Sequence, residues 1–401
     1  MPVSATQHLL DWLVVSPSRP RPDPALFSQA EWDTLIAESV AHTTAPLLFR
    51  VLTAESRKVP PTVLQCAFMA TLWQKRQTSN LERDLSSALR ALNAVNITPI
   101  LLKGAHVATM IYPEISDRPM ADIDLLVPLD QMATAEEALM ALGYTSERTK
   151  SMEDWCGRSR EIQMLKPDAM AVELHWALTN PRDPMAVDHD GLWRRSNEVS
   201  MFGHTARVLS LEDLVLYISY HAVISHQFGE KGLRPLFDIL AILQRHGQSI
   251  NWGVVEQRAR QWHIERATYL MLQLARQEGD APIPDDLLSR LKPHSVSSVI
   301  YNAARAQMFE APGVRLHPVI PVSIALAWVS PKSMWNHLFA RRNCKQETVG
   351  SEMGMYVARY GRFLWHCLLH DRSRLLVIFK RVWRHLVLSH WLADERSTAG
   401  S

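Results

Sequence analysis

The sequence predicts an α+β protein: a small mixed β-sheet with helices packed on it, plus N- and C-terminal helical regions. Three observations point there. Between residues 28 and 95 apolar side chains recur at spacings of three and four, the period of a helix with one buried face. Between residues 97 and 176 the apolar runs shorten, alternate, and end at Gly, Pro or Asp, as strands do. From Ser210 onward the helical period returns.

Composition sets the outer limits. The chain has 401 residues, 47% of them apolar and 21% charged, enough for two or three domains. That balance excludes a disordered chain, a collagen-like fibre and a disulfide-rich mini-domain. Cys66, Cys156, Cys344 and Cys367 are far apart with no CxxC pair. They form neither a zinc knuckle nor a disulfide framework, so a cytoplasmic setting is expected. No run approaches the roughly 18 apolar residues of a membrane span, and no signal peptide is expected at the N-terminus. Charge is uneven. Residues 331–401 hold 12 Lys/Arg against 5 Asp/Glu, a net of +7, although the whole chain carries only +2.

Taken in order, Ser28 is placed to cap a helix through Trp32, Leu35 and Ile36. Leu81, Leu85, Leu89, Leu92 and Val95 form one apolar stripe, with Arg83, Asp84 and Arg90 away from it and Asn96 as the stop. Ile97–Leu102 reads as a strand, closed by Lys103 and Gly104. A helix is expected over Ala105–Tyr112, then a polar loop, then a second strand, Asp122–Val127. Asp130 is expected to cap a helix to Leu142, which Gly143 ends. Glu161–Leu165 and Met170–Trp176 read as the arms of a hairpin. Helices are expected over Leu211–Ile224, Leu233–Leu243, Arg258–Arg276, 296–310 and 355–392.

Strand alternation locates the chemistry. Asp122 and Asp124 share one face of their strand, and Ala171, Glu173 and His175 share the polar face of theirs. Carboxylates in apolar strands are costly to bury without a positive partner. Asp122, Asp124 and Glu173 therefore ask for a divalent cation, and hard oxygen donors suit Mg²⁺ or Mn²⁺. Beside them, the glycine between strand and helix lets backbone N–H groups approach an anion. Lys103 adds a point charge to this phosphate seat, and Arg118 offers a bidentate contact.

The stretch LLKGAHVATMIYPEISDRPMADIDLLVP, with AVELHWAL after it, resembles the bacterial uncharacterised nucleotidyltransferase family. That family lies within the DNA-polymerase-β-like nucleotidyltransferase superfamily. The resemblance extends through LEDLVLYISYHAVISHQFGEKGLRPLFDILAIL and covers roughly residues 25–280. Periodicity and charge set the bounds, an α/β centre over 97–205 between an N-terminal helical region (1–96), a helical domain (206–292) and a basic C-terminal helical extension (293–401), and the resemblance makes that centre the nucleotidyltransferase core. Gly104 matches the family's turn glycine, Asp122 and Asp124 its paired aspartates, and Glu173 its third carboxylate. The implied reaction moves a nucleoside monophosphate from a triphosphate such as ATP to a hydroxyl, with two metal ions and release of pyrophosphate. The acceptor could be a small molecule, protein or RNA. Here the turn reads Gly104-Ala105 where the superfamily usually has Gly-Ser or Gly-Gly, which leaves phosphate contact to the backbone and Lys103.

His175, on the carboxylate face, is a candidate substrate contact. His221 and His226, five apart on a helix, are expected on different sides of its axis. Arg234 and Asp238, four apart, are expected to form a helix-face ion pair. In Leu375–Leu392 an apolar stripe runs beside Arg374, Lys380, Arg381 and Arg384. Packing on its own domain is the expectation; a peripheral contact with anionic lipid or a partner is the alternative. Two other function classes fit Asp-x-Asp: a nucleotide-sugar glycosyltransferase and a catalytically silent nucleotide- or metal-binding module. The helical first hundred residues argue against the glycosyltransferase.

Overall fold

The computed structural model describes residues 5–14, 20–149, 151–157, 159–181, 185–229, 232–310, 380 and 383–392. Five helices lead: α1 (Ala5–Leu13), α2 (Gln29–Ala41), α3 (Ala45–Ala54), α4 (Pro61–Thr78) and α5 (Leu81–Ala94). Ser28 caps α2 through a capping box: its hydroxyl accepts from Glu31 N, and the Glu31 carboxylate accepts from Ser28 N. The leucine stripe of α5 is buried, and the chain turns left-handed at Asn96 (φ +62°). Asp84, expected away from the stripe, is buried instead. It accepts a hydrogen bond from Met170 N at 2.8 Å and so fixes the start of a strand far along the chain.

The central region alternates strand and helix: β1 (Ile100–Leu101), α6 (Lys103–Met110), β2 (Asp122–Leu126), α7 (Met132–Ala141), β3 (Thr145–Ser146), α8 (Met152–Cys156), β4 (Glu161–Leu165), β5 (Ala171–His175), α9 (His189–Arg195), β6 (Asn197–Met201) and β7 (His204–Val208). The strands form one mixed sheet in the order β3-β4-β5-β2-β1-β7-β6. The pairs β2–β5 and β1–β7 are parallel and the others antiparallel. This is the mixed sheet with packed helices that the periodicity predicts.

Several boundaries move for identifiable reasons. The first strand is shorter than Ile97–Leu102 because Ile97 N bonds back to Leu92 O and Pro99 has no N–H to give. Helix α6 begins at Lys103 rather than Ala105, so Gly104 sits inside its first turn. Asp130 caps nothing; it lies in a 3₁₀ turn, Leu129–Gln131, that leads into α7. Gly143 ends the α7 turn at φ +89°, a conformation that glycine adopts freely. The expected hairpin forms, with Glu161 opposite His175 and Gln163 opposite Glu173.

Helices then close the other side: α10 (Leu211–Tyr220), α11 (Arg234–His246), α12 (Trp252–Gln261), α13 (Glu265–Gly279), α14 (Asp285–Leu291) and α15 (Ser298–Phe309). The single helix expected over Arg258–Arg276 is two. The chain breaks at His263 (φ +56°), where Ile264 N bonds back to Ala259 O. A π-helical turn, His221–Ser225, follows α10 and brings His226 Nε2 to 3.1 Å from His221 Nε2. The two histidines meet because a π turn places residues five apart over one another.

The sheet separates two apolar clusters. Ile123, Leu125, Val172 and Leu174 point into the layer of α5 and α7. Ile100, Leu102 and Leu126 join the larger cluster formed by the N-terminal helices and α10–α15. Leu388, Trp391 and Leu392 are buried in that larger cluster, and Arg384 pairs with Glu310 at 2.7 Å. This described end of the basic stretch packs on its own domain; most of 355–392 lies outside the described residues. No helix among the described residues is long and apolar enough to cross a membrane.

One buried group makes folding pH-sensitive. His106 in α6 is 2% exposed and its Nδ1 has no hydrogen-bond partner among the described residues. Burial, aided by His246, pushes its pKa down to about 3. The folded state holds it neutral while the unfolded chain protonates near 6.5. Stability is therefore lost as pH falls from 6.5 toward 3, at up to about 1.4 kcal/mol per unit. Urea unfolding of His106→Leu at pH 7 and pH 5 should show a smaller acid loss than the wild type; an equal loss would refute the assignment.

Candidate active site

Register brings the acidic residues together. Along the parallel pair β2–β5, Asp122 lies opposite Ala171, and Asp124 lies opposite Glu173. Their apolar neighbours are committed to the α5–α7 layer, so alternation turns these carboxylates, with His175, to the other face. Asp124 is 2% exposed.

Charges alternate along the floor of the site. Lys103 Nζ donates to Asp124 Oδ1 at 2.6 Å and lies 3.7 Å from Glu173 Oε2. His175 Nε2 is 2.9 Å from Asp124 Oδ1 and 3.5 Å from Glu173 Oε2. His175 Nδ1 lies 3.0 Å from Glu161 Oε2 without hydrogen-bond geometry, and Arg160 donates to that same oxygen at 3.1 Å. Burial would raise the Asp124 pKa, but Lys103 and His175 hold it well below the usual carboxylate range. Glu173 moves the other way: burial and the charge of Asp124 raise it. Burial and Lys103 oppose a charge on His175, and its contacts to Asp124 and Glu173 outweigh them, so its pKa rises. Burial likewise opposes the Lys103 charge, yet Asp124 and Glu173 keep it protonated.

Asp124, Glu173 and His175 each offer a ligand atom within 4.8 Å of the others, a donor set that fits a divalent cation. Asp122 lies outside this group, and His175, expected as a candidate substrate contact or a carboxylate-orienting residue rather than a metal ligand, lies inside it. The Lys103 ammonium sits against the same oxygens and supplies a positive charge there.

The glycine turn is built around Arg118. Lys103 holds a left-handed backbone (φ +37°), strain of about 1–3 kcal/mol for a side chain of its kind. A Cβ on Gly104 would lie 2.7 Å from Arg118 Nη1. That guanidinium cannot give way, because its Nε and Nη2 grip Asp238 at 2.9 and 2.8 Å and Tyr112 also donates to Asp238 at 3.2 Å. The expected Arg234–Asp238 pair is thus replaced by Arg118–Asp238: the loop carrying Arg118 packs against α11, and Arg234 turns instead to Thr43. Gly104→Ala should lower stability by about 1–3 kcal/mol through overpacking, read from urea unfolding; an unchanged midpoint would contradict this packing.

A pocket joins these parts, lined by Lys103, Gly104, Arg118, Asp122, Asp124 and Arg234, with His221, Ile218, Pro235 and Asp238 completing it. All the predicted site residues except Glu173 and His175 line it; those two lie at its floor beside Asp124. Sequence reasoning gave Arg234 no place in the site, and did not single out Tyr217. The Tyr217 hydroxyl is buried with no hydrogen-bond partner among the described residues, and burial pushes its pKa to about 12. Arg234 carried a usable signal: a cation on the first turn of a helix after a Gly-containing loop.

The mixed sheet thus presents three acidic side chains next to a glycine-opened helix start. Residues 28–278 match the family described as uncharacterised nucleotidyltransferase. That is more than half of the chain, and the protein belongs to this family, a group of enzymes that transfer phosphorus-containing groups. No curated protein matches the chain. Among solved structures, the chain is similar to the solution structure of the antibiotic-resistance factor ANT(2'')-Ia, at 15% identity and a TM-score of 0.34, covering 49% of this chain and 96% of that one.

Proposed function

We propose that this nucleotidyltransferase is metal-dependent and moves a nucleoside monophosphate from a triphosphate to a hydroxyl acceptor, releasing pyrophosphate. The observation that carries the reading is the register of Asp124 against Glu173 beside the Gly104 helix start. Asp122, Asp124 and Glu173 would hold Mg²⁺ or Mn²⁺, two ions in full, with His175 adding a nitrogen donor or orienting Asp124. Bound metal neutralises phosphate charge and acidifies an attacking hydroxyl. The free N–H groups of α6's first turn, with Lys103 and Arg118, seat the triphosphate. Buried between sheet and helices, these groups are fixed before substrate arrives, so they need no reorganisation during reaction. Attack on the α-phosphate is then in line, with pyrophosphate leaving. A cytoplasmic setting supplies nucleoside triphosphates and keeps Cys66 and Cys156 as the free thiols they are in the structure.

Incubation with each α-labelled nucleoside triphosphate, ATP first, plus Mg²⁺ or Mn²⁺ and a cell extract tests this. Label should pass to protein, RNA or a small molecule with stoichiometric pyrophosphate, and Glu173→Gln should remove it. Release of a nucleoside diphosphate from a nucleotide sugar instead would favour glycosyl transfer. Nucleotide binding with no product under any acceptor would favour a silent module.

A further inference from the structure

Arg234 enters the pocket from the helical side of the molecule. It is the first residue of α11 and lines the pocket with Arg118 and Asp122. Its Nε and Nη2 donate to the Thr43 hydroxyl at 3.0 and 2.6 Å. That hydroxyl is itself fixed, donating to His42 O at 2.7 Å, and the His42 ring accepts from Leu233 N at 3.2 Å. The corner between α2 and α3 therefore holds the start of α11 through two separate contacts. Thr43 holds it from a left-handed backbone (φ +57°).

The charge balance is unusual. Asp238 is held by Arg118, and among the described residues Arg234 makes no ion pair; its partner is a neutral hydroxyl. Burial and the neighbouring Arg118 charge depress the Arg234 pKa to about 10, although Asp238 and Asp122 work the other way. Two guanidinium groups thus line one pocket, and the Arg118 Nη1 lies over Gly104 with no protein hydrogen bond among the described residues. Two like charges brought together in a pocket are relieved by an anion bridging them. Asp122, which lines the same pocket, makes no ion pair among the described residues.

We propose that Arg234 and Arg118 form a polyphosphate seat for the β- and γ-phosphates of the nucleotide, and that Thr43 is the positioning residue that aims Arg234. Naming those phosphates rests on the nucleotidyl-transfer reading; the anion seat itself does not. The N-terminal helices then serve the site directly, through Thr43.

Calorimetric titration of the full chain with sodium tripolyphosphate, a probe without base or sugar, tests the seat. Arg234→Gln should weaken binding about 10- to 100-fold in a protein that still unfolds cooperatively. Arg234→Lys, which keeps the charge, should fall between wild type and Arg234→Gln. Thr43→Ala should weaken binding by a smaller factor, and Thr43→Ser should restore it. Wild-type affinity in Arg234→Gln overturns the proposal, and so does Arg234→Lys binding no better than Arg234→Gln. The two readings fail separately. Label transfer with an unchanged triphosphate KM in Arg234→Gln removes only the seat. Arg234-dependent tripolyphosphate binding without any transfer by the wild type removes only the reaction.

Discussion

Asp124→Asn should abolish nucleotidyl transfer, with a loss of at least about 100- to 1,000-fold, because it removes the charge at the centre of the site. Asp124 makes the shortest carboxylate contacts to both Lys103 (2.6 Å) and His175 (2.9 Å), and it faces Glu173 across the strand pair. The same change should also cost stability. Lys103 and Asp124 are both largely buried, and breaking a buried ion pair by removing one partner costs about 3–5 kcal/mol. Loss of activity alone would therefore be ambiguous. Glu173→Gln separates the effects: its carboxylate lies 3.7 Å from Lys103 and is more exposed, so transfer should fall comparably while the unfolding midpoint moves much less. Measured side by side, two inactive variants with unequal stabilities support the account. An Asp124→Asn protein that transfers label at the wild-type rate contradicts it.

Asp238→Ala should be the most destabilising change outside Asp122, Asp124 and Glu173, by about 3–5 kcal/mol in urea unfolding. It strands the buried Arg118 guanidinium and removes the acceptor of the Tyr112 hydroxyl. Burial opposes the Arg118 charge, and the adjacent carboxylate more than offsets it, so removing that carboxylate leaves burial unopposed. Replacing both partners with apolar residues, Arg118→Met with Asp238→Leu, should recover much of the loss. The double variant should still bind nucleotide poorly, because the side chain over Gly104 would be uncharged. A loss below about 1 kcal/mol in Asp238→Ala would mean that the pair does not brace the loop.

What the sequence made legible was local. Alternation in Asp122–Leu126 and Ala171–His175 assigned each side chain to its face, because a strand has a fixed period. The Ser28 capping box and the stop at Gly143 follow from local backbone chemistry in the same way. What it hid was long-range. Asp238 stands four residues from Arg234 and 120 from Arg118, and only the packing of α11 on the loop decides between them. The π turn at His221 and the break at His263 carry no glycine or proline to announce them. The β6–β7 hairpin did leave a trace. Phe202-Gly203 takes positive φ at both positions, as a two-residue hairpin turn requires, and Val199, Met201, Ala206 and Val208 flank it.

The most direct measurement is anomalous diffraction from crystals soaked with Mn²⁺ and a non-hydrolysable nucleoside triphosphate. The account predicts a manganese peak about 2.0–2.3 Å from carboxylate oxygens of Asp124 and Glu173, with the Lys103 ammonium displaced toward the phosphates over Gly104. A peak bound elsewhere, with Lys103 still seated on Asp124 and the triphosphate away from the α6 start, would contradict it.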